Sequence, residues 1–458
     1  DSYTTPSTQT TFDAQPNAAL GQQELTAPEL PILRHEQEII EALNTNQVLI
    51  LVAPTGTGKS TQMPQIARRA GFSPIRESQP RRRAAINVAT RIHEELSAEV
   101  GEELSTELVS YHTGGGLVGD YNSELQVMTE GVLNARDTYD PSSEDNELWI
   151  LDEVHENGNE MWMLSGIAKQ KLAENPNFTV AVMTATPDKY ETIDYWTSDS
   201  GVEPAVIELE GGTLYSIKDR VEPESTTVQE AVKAAINIFE NPDDFDGANT
   251  IQIFVAGKRE IKDTIHALRS KLAPEILAKT TLLRNHSKLS NAEQNLAYQD
   301  FDGIKIIVQT NIGKTSMTVS RTRYVISSGS ERMPTFDEDF KPLLARIPSS
   351  QDCIWQQRGR GGRTNPSIFI LTKEPGEEFV PLEERPKHLE AEILRTDLDS
   401  VVMRLALRGQ NVRDFDAKPK PPEDAIDRAV NRLQILGALD EHEKLTRLGE
   451  RMAKYPVG

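Results

Sequence analysis

A glycine-rich octapeptide, Ala53-Pro54-Thr55-Gly56-Thr57-Gly58-Lys59-Ser60, directly follows the apolar run Val48-Leu49-Ile50-Leu51-Val52. A buried strand that ends in a Gly-rich turn closed by Lys-Ser, with a helical pattern after it, is typical of a P-loop. Backbone N–H groups and the helix N-terminus then hold phosphates, the lysine contacts the β and γ phosphates, and the serine hydroxyl binds Mg²⁺. The alternative is a glycine-rich turn that merely closes a strand. The predicted nucleotide-binding residues are Thr55, Gly56, Thr57, Gly58, Lys59, Ser60 and Thr61.

A second apolar run ends in acidic residues that suit the metal end of the same site. Leu148-Trp149-Ile150-Leu151 is followed by Asp152-Glu153-Val154-His155. In a parallel sheet, ligands collect outside the carboxyl ends of the strands, so this quartet can lie beside the P-loop. We expect Asp152 to hold Mg²⁺ directly or through water, Glu153 to polarise the attacking water, and His155 to relay the nucleotide state to neighbouring segments. The predicted metal-site residues are Ser60, Asp152 and Glu153.

The third informative stretch is rich in arginine and glycine: Gln356-Gln357-Arg358-Gly359-Arg360-Gly361-Gly362-Arg363. Such a stretch is often a flexible basic loop that binds polyanions. Here Arg360 and Arg363 lie three apart, so they share a face if the segment opens a helix. Arginine fingers stabilise charge on a transferring phosphoryl group. We predict Gln356, Arg360 and Arg363 as catalytic residues on a second lobe, with hydrolysis requiring the two lobes to close.

Together these motifs resemble those of a superfamily 2 helicase of the DEAH/RHA type, from about Leu30 to the C-terminus. Five further segments resemble family motifs in family order: Gln79-Pro80-Arg81-Arg82, Met128-Thr129-Glu130-Gly131, Thr184-Ala185-Thr186, Phe254-Val255-Ala256-Gly257 and residues 310–318. The resemblance implies an ATP-dependent RNA helicase or translocase. Such an NTP hydrolase uses ATP, and other NTPs, with Mg²⁺, and moves along single-stranded RNA to unwind duplexes or remodel ribonucleoprotein particles.

The resemblance also implies roles for individual residues. The nucleic-acid-binding positions are Arg81, Arg82, Thr129 and Thr310. The positions that couple hydrolysis to strand movement are Thr184, Thr186, Gly313 and Thr315. The positions that hold the nucleobase by stacking are Arg91 and Tyr298. For these last two, a surface arginine and a half-buried tyrosine without a role in binding are the alternative.

Three departures from the family pattern bear on how tightly hydrolysis is coupled to strand movement. Asn157-Gly158 replaces the usual arginine-containing continuation of the acidic box. Gly313-Lys314 stands where Ala-Glu is usual, which inverts a charge near the strand, and Ser327 stands where the family often has Asp. The residues of the ATPase core are unaffected by these changes.

The formal net charge of −22 is unusual for a protein that binds nucleic acid, because such proteins are usually basic. Affinity depends on the local groove, however, and a local basic cluster is present in the sequence: Arg76, Arg81, Arg82 and Arg83. A motor must also release its strand in every cycle, so strong non-specific attraction is not wanted. We therefore expect single-stranded RNA, or a duplex with an overhang, as the nucleic-acid partner.

The fold class expected for these 458 residues is α/β, with two tandem RecA-like parallel-sheet lobes followed by a small α-rich winged-helix domain. Short apolar strands alternate with helical patterns twice, and the last segment is helical. The pieces Leu436-Gly437-Ala438-Leu439-Asp440 and Leu445-Thr446-Arg447-Leu448-Gly449 resemble the family's winged helix. The expected divisions are a disordered arm over 1–28, lobe 1 over 29–217, lobe 2 over 218–378, and the winged helix with the start of a ratchet-like domain over 379–458.

Further expectations concern the cell and the partners. The lone cysteine, Cys353, excludes an intrachain disulfide and fits a reducing compartment. No apolar run approaches the roughly 20 residues of a membrane span, so we expect an intracellular monomer, cytoplasmic or nuclear, with an unidentified activating partner. Asp1 stands where a Met would begin a chain, so we expect a fragment or a processed product. Two alternatives stay open: a flavivirus-like replicative helicase, and a nucleotide-switch scaffold that does not translocate.

Overall fold

The computed structural model describes residues 30–54, 56–141, 144–185, 189–197, 202–210, 215–242, 247–311, 318–336 and 342–453. The predicted arm over 1–28 and the predicted site residues Thr55, Thr186, Gly313 and Thr315 lie outside these ranges. The chain divides into two compact units. The first comprises residues 1–211 and 390–458, and the second comprises residues 212–389.

The first unit is built on an eight-stranded sheet. Its strands are β1 (Val48–Val52), β2 (Ile75–Gln79), β3 (Val109–Thr113), β4 (Gly116–Val118), β5 (Leu125–Thr129), β6 (Leu148–Leu151), β7 (Thr179–Thr184) and β8 (Ala205–Glu208). Their spatial order is β4-β3-β5-β2-β6-β7-β1-β8, and all pairs are parallel except β3 with β4. Strands β2, β6, β7 and β1 are neighbours in this order. Because they are parallel, the segments that follow them all begin at the same edge of the sheet.

Helices cover both faces of this sheet, which explains why β1 and β6 are continuous apolar runs. They are α1 (Glu36–Thr45), α2 (Lys59–Arg69), α3 (Arg82–Val100), α4 (Glu102–Leu108), α5 (Glu130–Tyr139), α6 (Asn159–Glu174) and α7 (Lys189–Trp196). On β1, Leu49 and Leu51 pack into the core that contains α1, α2 and α3. Ile50 packs on the opposite face, into the core that contains α6.

The second unit has a six-stranded sheet that is parallel throughout. Its strands are β9 (Ile217–Thr226), β10 (Thr250–Phe254), β11 (Thr280–Asn285), β12 (Ile304–Gln309), β13 (Thr322–Ser327) and β16 (Ser367–Lys373), in the order β11-β12-β10-β13-β16-β9. Strands β14 (Ser330–Phe336) and β15 (Pro342–Pro348) form an antiparallel hairpin. The helices of this unit are α8 (Thr227–Glu240), α9 (Lys258–Lys271), α10 (Pro274–Leu277), α11 (Asn291–Asn295) and α12 (Gln351–Arg358).

The C-terminal segment from residue 390 onward is helical and shares a core with the first unit. Its helices are α13 (Glu392–Arg395), α14 (Asp399–Leu407), α15 (Glu423–Ile435) and α16 (Arg447–Met452). The indole of Trp162 on α6 donates to the carbonyl of Pro419 at 2.9 Å. Gly166 on α6 lies so close to the Phe415 ring that an added Cβ would come within 2.4 Å of it. The predicted fold class, with two parallel-sheet lobes and a small helical C-terminal segment, is confirmed.

Candidate nucleotide site

The phosphate-binding turn runs from the end of β1 into α2. Gly56 and Gly58 have φ values of 91° and 87°, which residues with a Cβ rarely adopt, so this turn requires both glycines. Ala53 stands where a P-loop usually has its first glycine, but its φ is not positive, so alanine is compatible with this position. Its N–H donates to the carbonyl of Thr184 at 2.8 Å. The Thr57 hydroxyl donates to the carbonyl of Pro54 at 2.9 Å and closes the turn from within.

Lys59, the first residue of α2, lies between two carboxylates. Its Nζ is 2.7 Å from Asp152 Oδ1 and 2.6 Å from Glu153 Oε1. Burial alone would lower the pKa of Lys59, but the charges of Asp152 and Glu153 outweigh it and hold that pKa above its ordinary value. The lysine and the acidic box were predicted to meet from strands far apart in sequence, and the structure brings them together.

Asp152 is fully buried and is held by three side chains. Besides Lys59, the hydroxyl of Ser60 donates to Asp152 Oδ2 at 2.6 Å, and the amide Nε2 of Gln79 donates to the same oxygen at 2.8 Å. The Glu153 N–H donates to Oδ1 at 2.8 Å. Gln79 is the last residue of β2, and its link to Asp152 is a contact that sequence reasoning missed, because it depends on which strand lies beside β6.

Glu153 has a left-handed backbone, with φ of 57° and ψ of 37°. A non-glycine residue in this region is uncommon and is often found at functional sites. Burial would raise the pKa of Glu153, but the charge of Lys59 holds it below its ordinary value. The carboxylate is therefore ionised at neutral pH and directed by its neighbours.

His155 bridges the acidic box and the segment after β7. Its Nε2 is 3.2 Å from Glu153 Oε2, while its Nδ1 accepts from the N–H of Ala185 at 3.4 Å and lies 3.5 Å from the Thr184 hydroxyl. Because Nδ1 accepts a backbone N–H, the neutral ring carries its proton on Nε2, which faces Glu153. His155 is thus in contact with Thr184, one of the residues predicted to couple hydrolysis to strand movement.

The oxygen donors of this site fit Mg²⁺. A serine hydroxyl and a carboxylate lie side by side in Ser60 and Asp152, and Mg²⁺ prefers hard oxygen ligands. Among the described residues, no cluster of three His, Cys, Asp or Glu side chains forms a metal cage. At nucleotide sites Mg²⁺ is commonly bound through one or two protein groups together with phosphates and water.

Glu77, on the same face of β2 as Gln79, is a buried acid that the sequence analysis did not single out. Its Oε1 accepts from Gln79 Nε2 at 2.5 Å, while Oε2 is buried without a hydrogen-bond partner among the described residues. Burial, reinforced by the charge of Asp152, raises the pKa of Glu77 well above its ordinary value. Period-2 alternation along the strand could have placed it beside Gln79, but not beside Asp152.

The predicted basic cluster is partly wrong. Arg76 lies inside β2, is buried, and pairs with Glu147 and with Glu144, so it is not part of a nucleic-acid surface. Arg81, by contrast, is one-third exposed and its guanidinium donates to both carboxylate oxygens of Glu156 at 3.1 Å. The physical reason is the length of β2, which keeps position 76 within the sheet while position 81 lies beyond its end.

Arg82 and Thr129 occupy the same strand-end region. Arg82 is exposed and its guanidinium lies against Gly115, where an added Cβ would come within 2.1 Å of it. Thr129 ends β5 and stands at the N-cap of α5, partly exposed. Arg91, further along α3, is exposed and pairs with Glu95 at 2.7 Å.

An acidic group surrounds the start of α6. Burial, followed by the charges of Glu156 and Glu160, raises the pKa of Glu130 to about 8. The C-terminal segment enters this region through Glu392, whose N–H donates to the carbonyl of Asn157 and whose Oε2 accepts from the N–H of Asn159 at 2.9 Å. Asn157 has a φ of 51°, a left-handed backbone that asparagine tolerates better than the arginine usual in the family.

The second unit holds the predicted arginines, but not on a helix. Helix α12 ends at Arg358, and the left-handed Gly362 belongs to a turn that contains Arg360 and Arg363, so the segment does not open a helix on which these two arginines could share a face. Arg360 is buried. Arg363 donates to the carbonyl of Gly359 at 3.0 Å and to the Thr318 hydroxyl at 3.3 Å. Burial lowers the pKa of Arg363 to about 10.

The remaining predicted residues of this unit lie near the ends of their elements. Thr310 follows β12, and its N–H donates to the carbonyl of Asn285 at 3.3 Å. Tyr298 is partly buried beside Ile307, and Gln356 is a partly buried residue of α12. Asn311, the residue after Thr310, is held by two side chains. The Gln357 amide donates to Asn311 Oδ1 at 2.6 Å, and the Asn311 amide donates to Glu331 at 3.0 Å.

Comparisons with known proteins agree with this architecture. Residues 232–365 match the model of the helicase conserved C-terminal domain, and residues 429–457 match the helicase associated domain (HA2), winged-helix. The chain is 33% identical over 454 residues to the ATP-dependent RNA helicase HrpA of Escherichia coli, covering 95% of this chain and 33% of that protein. It is 30% identical over 436 residues to HrpA of Borreliella burgdorferi, covering 93% of this chain and 51% of that protein. The chain thus spans a third to a half of these relatives.

The crystal structure of Escherichia coli DEAH/RHA helicase HrpB superposes with a TM-score of 0.76 at 27% identity, covering 93% of this chain and 52% of that one. A further structure, of the E. coli DExH-box NTPase HrpB, gives a TM-score of 0.74 at 26% identity over 95% of this chain and 51% of that one. Fold and site define a P-loop protein with two parallel-sheet units. In sequence and in fold the chain is similar to helicases of the DEAH/RHA type. Of its described helices, none is both long and apolar enough to cross a membrane.

Proposed function

We propose that this chain is the NTP-hydrolysing core of an RNA helicase or translocase that works on single-stranded RNA or on a duplex with an overhang. The observation that carries the proposal is the direct contact of Lys59 and Ser60 with Asp152 and Glu153. Together these four side chains place an ammonium group, a hydroxyl and two carboxylates at the carboxyl edge of a parallel sheet, where nucleotides bind. The names of the HrpA relatives support ATP as the nucleotide and RNA as the substrate.

In this proposal each residue of the site has one task. Lys59 and the backbone N–H groups at the start of α2 bind the phosphates. Ser60 and Asp152 would hold Mg²⁺, which would neutralise charge on the phosphate oxygens. Glu153 orients the attacking water and accepts its proton. When Lys59 turns to the phosphates, Glu153 loses the neighbour that keeps its pKa low, and it becomes a stronger base.

The proposed RNA contacts of the first unit are Arg81, Arg82 and Thr129. In the second unit the proposed RNA contact is Thr310. Arg81 and Arg82 lie just after β2 at the strand-end edge, and both are at least partly exposed. A guanidinium or a threonine hydroxyl binds phosphate oxygens without reading base identity. Binding should therefore depend little on RNA sequence and should weaken as salt rises.

We also propose that Arg360 and Arg363 supply positive charge to hydrolysis. For Arg363 the support is chemical: its described partners are a carbonyl and a hydroxyl, neither of which neutralises the guanidinium. An arginine that is partly buried without a carboxylate partner among the described residues is suited to meet an anion. The coupling roles of Thr184, Thr186, Gly313 and Thr315, and the base contacts of Arg91 and Tyr298, remain part of the same proposal.

The test separates nucleotide binding from turnover. Glu153→Gln should keep ATP binding and lower turnover at least about a hundredfold, the usual scale for losing a positioned base. Lys59→Ala should weaken ATP binding itself, because it removes a direct phosphate contact. Equilibrium binding of a fluorescent ATP analogue and steady-state phosphate release measure the two quantities. Wild-type turnover in Glu153→Gln would show that another residue orients the water.

A further inference from the structure

We infer that Gln79 is a positioning residue for the magnesium-side carboxylate, Asp152, and that Glu77 fixes the orientation of Gln79. The inference rests on the proposed function, since it concerns how the same site holds Mg²⁺ with a nucleotide. Neither residue belongs to the phosphate-binding turn or to the acidic box. Both are buried side chains of β2, the strand adjacent to β6 in the sheet.

The geometry of the Gln79 amide is the first argument. A primary amide has two N–H hydrogens on one nitrogen, and here that nitrogen has two carboxylate partners. It lies 2.5 Å from Glu77 Oε1 and 2.8 Å from Asp152 Oδ2. Each carboxyl group thus accepts a hydrogen bond from one of the two amide hydrogens, and the two bonds together fix the orientation of the amide plane. Gln79 is only 3% exposed, so water does not compete for these bonds.

The second argument is what happens to the other partners of Asp152 during binding. Lys59 and Ser60 contact Asp152 here, but the proposed function directs Lys59 to phosphate and Ser60 to the metal. Gln79 is then the described side chain that continues to hold Asp152 through Oδ2, together with the Glu153 N–H on Oδ1. A carboxylate that binds metal is ordinarily oriented by such a hydrogen bond, and losing it typically weakens metal affinity about 10–100-fold.

The third argument is the presence of Glu77 itself. A carboxyl group that is 1% exposed and leaves Oε2 without a described hydrogen-bond partner is costly to the fold. An apolar residue would suit this position better, since its neighbours on β5 and β6 are Val127 and Ile150. The acid is explained if its Oε1 is needed to hold the Gln79 amide.

The test compares paired variants in the full chain. Gln79→Met removes both hydrogen bonds at similar side-chain length. Glu77→Met removes the acceptor, whereas Glu77→Gln keeps an amide oxygen in its place. Ser78→Ala is the matched control, because Ser78 is buried in the same strand and donates to the Ile150 carbonyl instead of contacting Asp152. Thermal unfolding establishes that each variant is folded.

Two quantities are measured. One is the Mg²⁺ concentration that gives half-maximal binding of a fluorescent ADP analogue, and the other is the affinity for this analogue in the absence of Mg²⁺. Gln79→Met should raise that Mg²⁺ concentration at least about tenfold, and Glu77→Met should raise it severalfold. Glu77→Gln and Ser78→Ala should stay within about twofold of wild type. Metal-free affinity should be unchanged in all four.

Two results would overturn the inference. One is a wild-type Mg²⁺ requirement in a folded Gln79→Met protein, and the other is an equal change in Glu77→Gln and Glu77→Met. Failure of the proposed function looks different, because the wild-type protein would then bind the analogue without any dependence on Mg²⁺, or would not bind it.

Discussion

Replacing Lys59 by methionine should destabilise the nucleotide-free protein, besides weakening its affinity for nucleotide. Methionine has a similar length but no charge, so the change leaves Asp152 and Glu153 without the ammonium group that lies between them. Asp152 is fully buried and cannot recover its stabilisation from water. The P-loop lysine thus has a structural role in this chain in addition to its proposed contact with phosphate.

The magnitude follows from burial. Breaking a buried ion pair by removing one partner costs about 3–5 kcal/mol. The side chain of Glu153 is 22% exposed and keeps His155 as a neighbour, so the lower part of that range applies. For a compact unit of this size, 1 kcal/mol corresponds to about 2–4 °C in the unfolding midpoint. We therefore expect the midpoint to fall by about 6–12 °C.

Differential scanning calorimetry without nucleotide measures this shift, with Lys262→Met, an exposed position on α9, as the control. Adding Mg²⁺ should restore part of the lost stability in Lys59→Met, because a cation beside the two carboxylates replaces the missing charge. Mg²⁺ should stabilise the wild-type protein less. A midpoint for Lys59→Met equal to that of Lys262→Met would refute the view that Lys59 neutralises this pair.

Three further predictions concern charge. Since the pKa of Glu130 is raised from 4.5 to about 8, the folded state keeps a proton that the unfolded state has lost, and stability should fall as pH rises between these values. Denaturant unfolding should show that Glu130→Gln removes about 2 kcal/mol of the loss of stability between pH 6 and 8. Glu156→Gln should tighten binding of labelled oligo(U), because it frees the Arg81 guanidinium from its carboxylate partner. Arg81→Ala should instead weaken oligo(U) binding and reduce the slope of log affinity against log salt concentration by about 0.7. Arg363→Ala should lower the RNA-stimulated ATPase rate far more than ATP affinity, and equal losses in both would indicate a structural role for its turn.

The sequence was sufficient to predict the meeting of the P-loop and the acidic box. Both motifs directly follow fully apolar strands, and a parallel sheet brings the ends of such strands to one edge. The same rule does not say which strand lies next to β6. The neighbour on one side is β2, which brings Gln79 to Asp152, and that adjacency is a property of the whole sheet.

Arg76 shows why a run of charges is a weak guide to a surface. It precedes Arg81 by only five positions, but it lies within a strand whose residues are all buried. Its charge is neutralised by Glu144 and Glu147, which lie just before β6, about 70 residues later in the chain. The contact of Glu392 with Asn157 and Asn159 is harder still to foresee, because Glu392 lies more than 230 residues after them in the sequence.

ATP hydrolysis in response to RNA is the activity proposed for this site. The most direct measurement is steady-state phosphate release by the wild-type chain with no nucleic acid, with single-stranded RNA, and with single-stranded DNA of the same sequence. We predict a basal rate that RNA raises severalfold and DNA raises less, with both effects abolished in Glu153→Gln. A rate that is independent of RNA would contradict the account and favour a nucleotide switch that does not translocate.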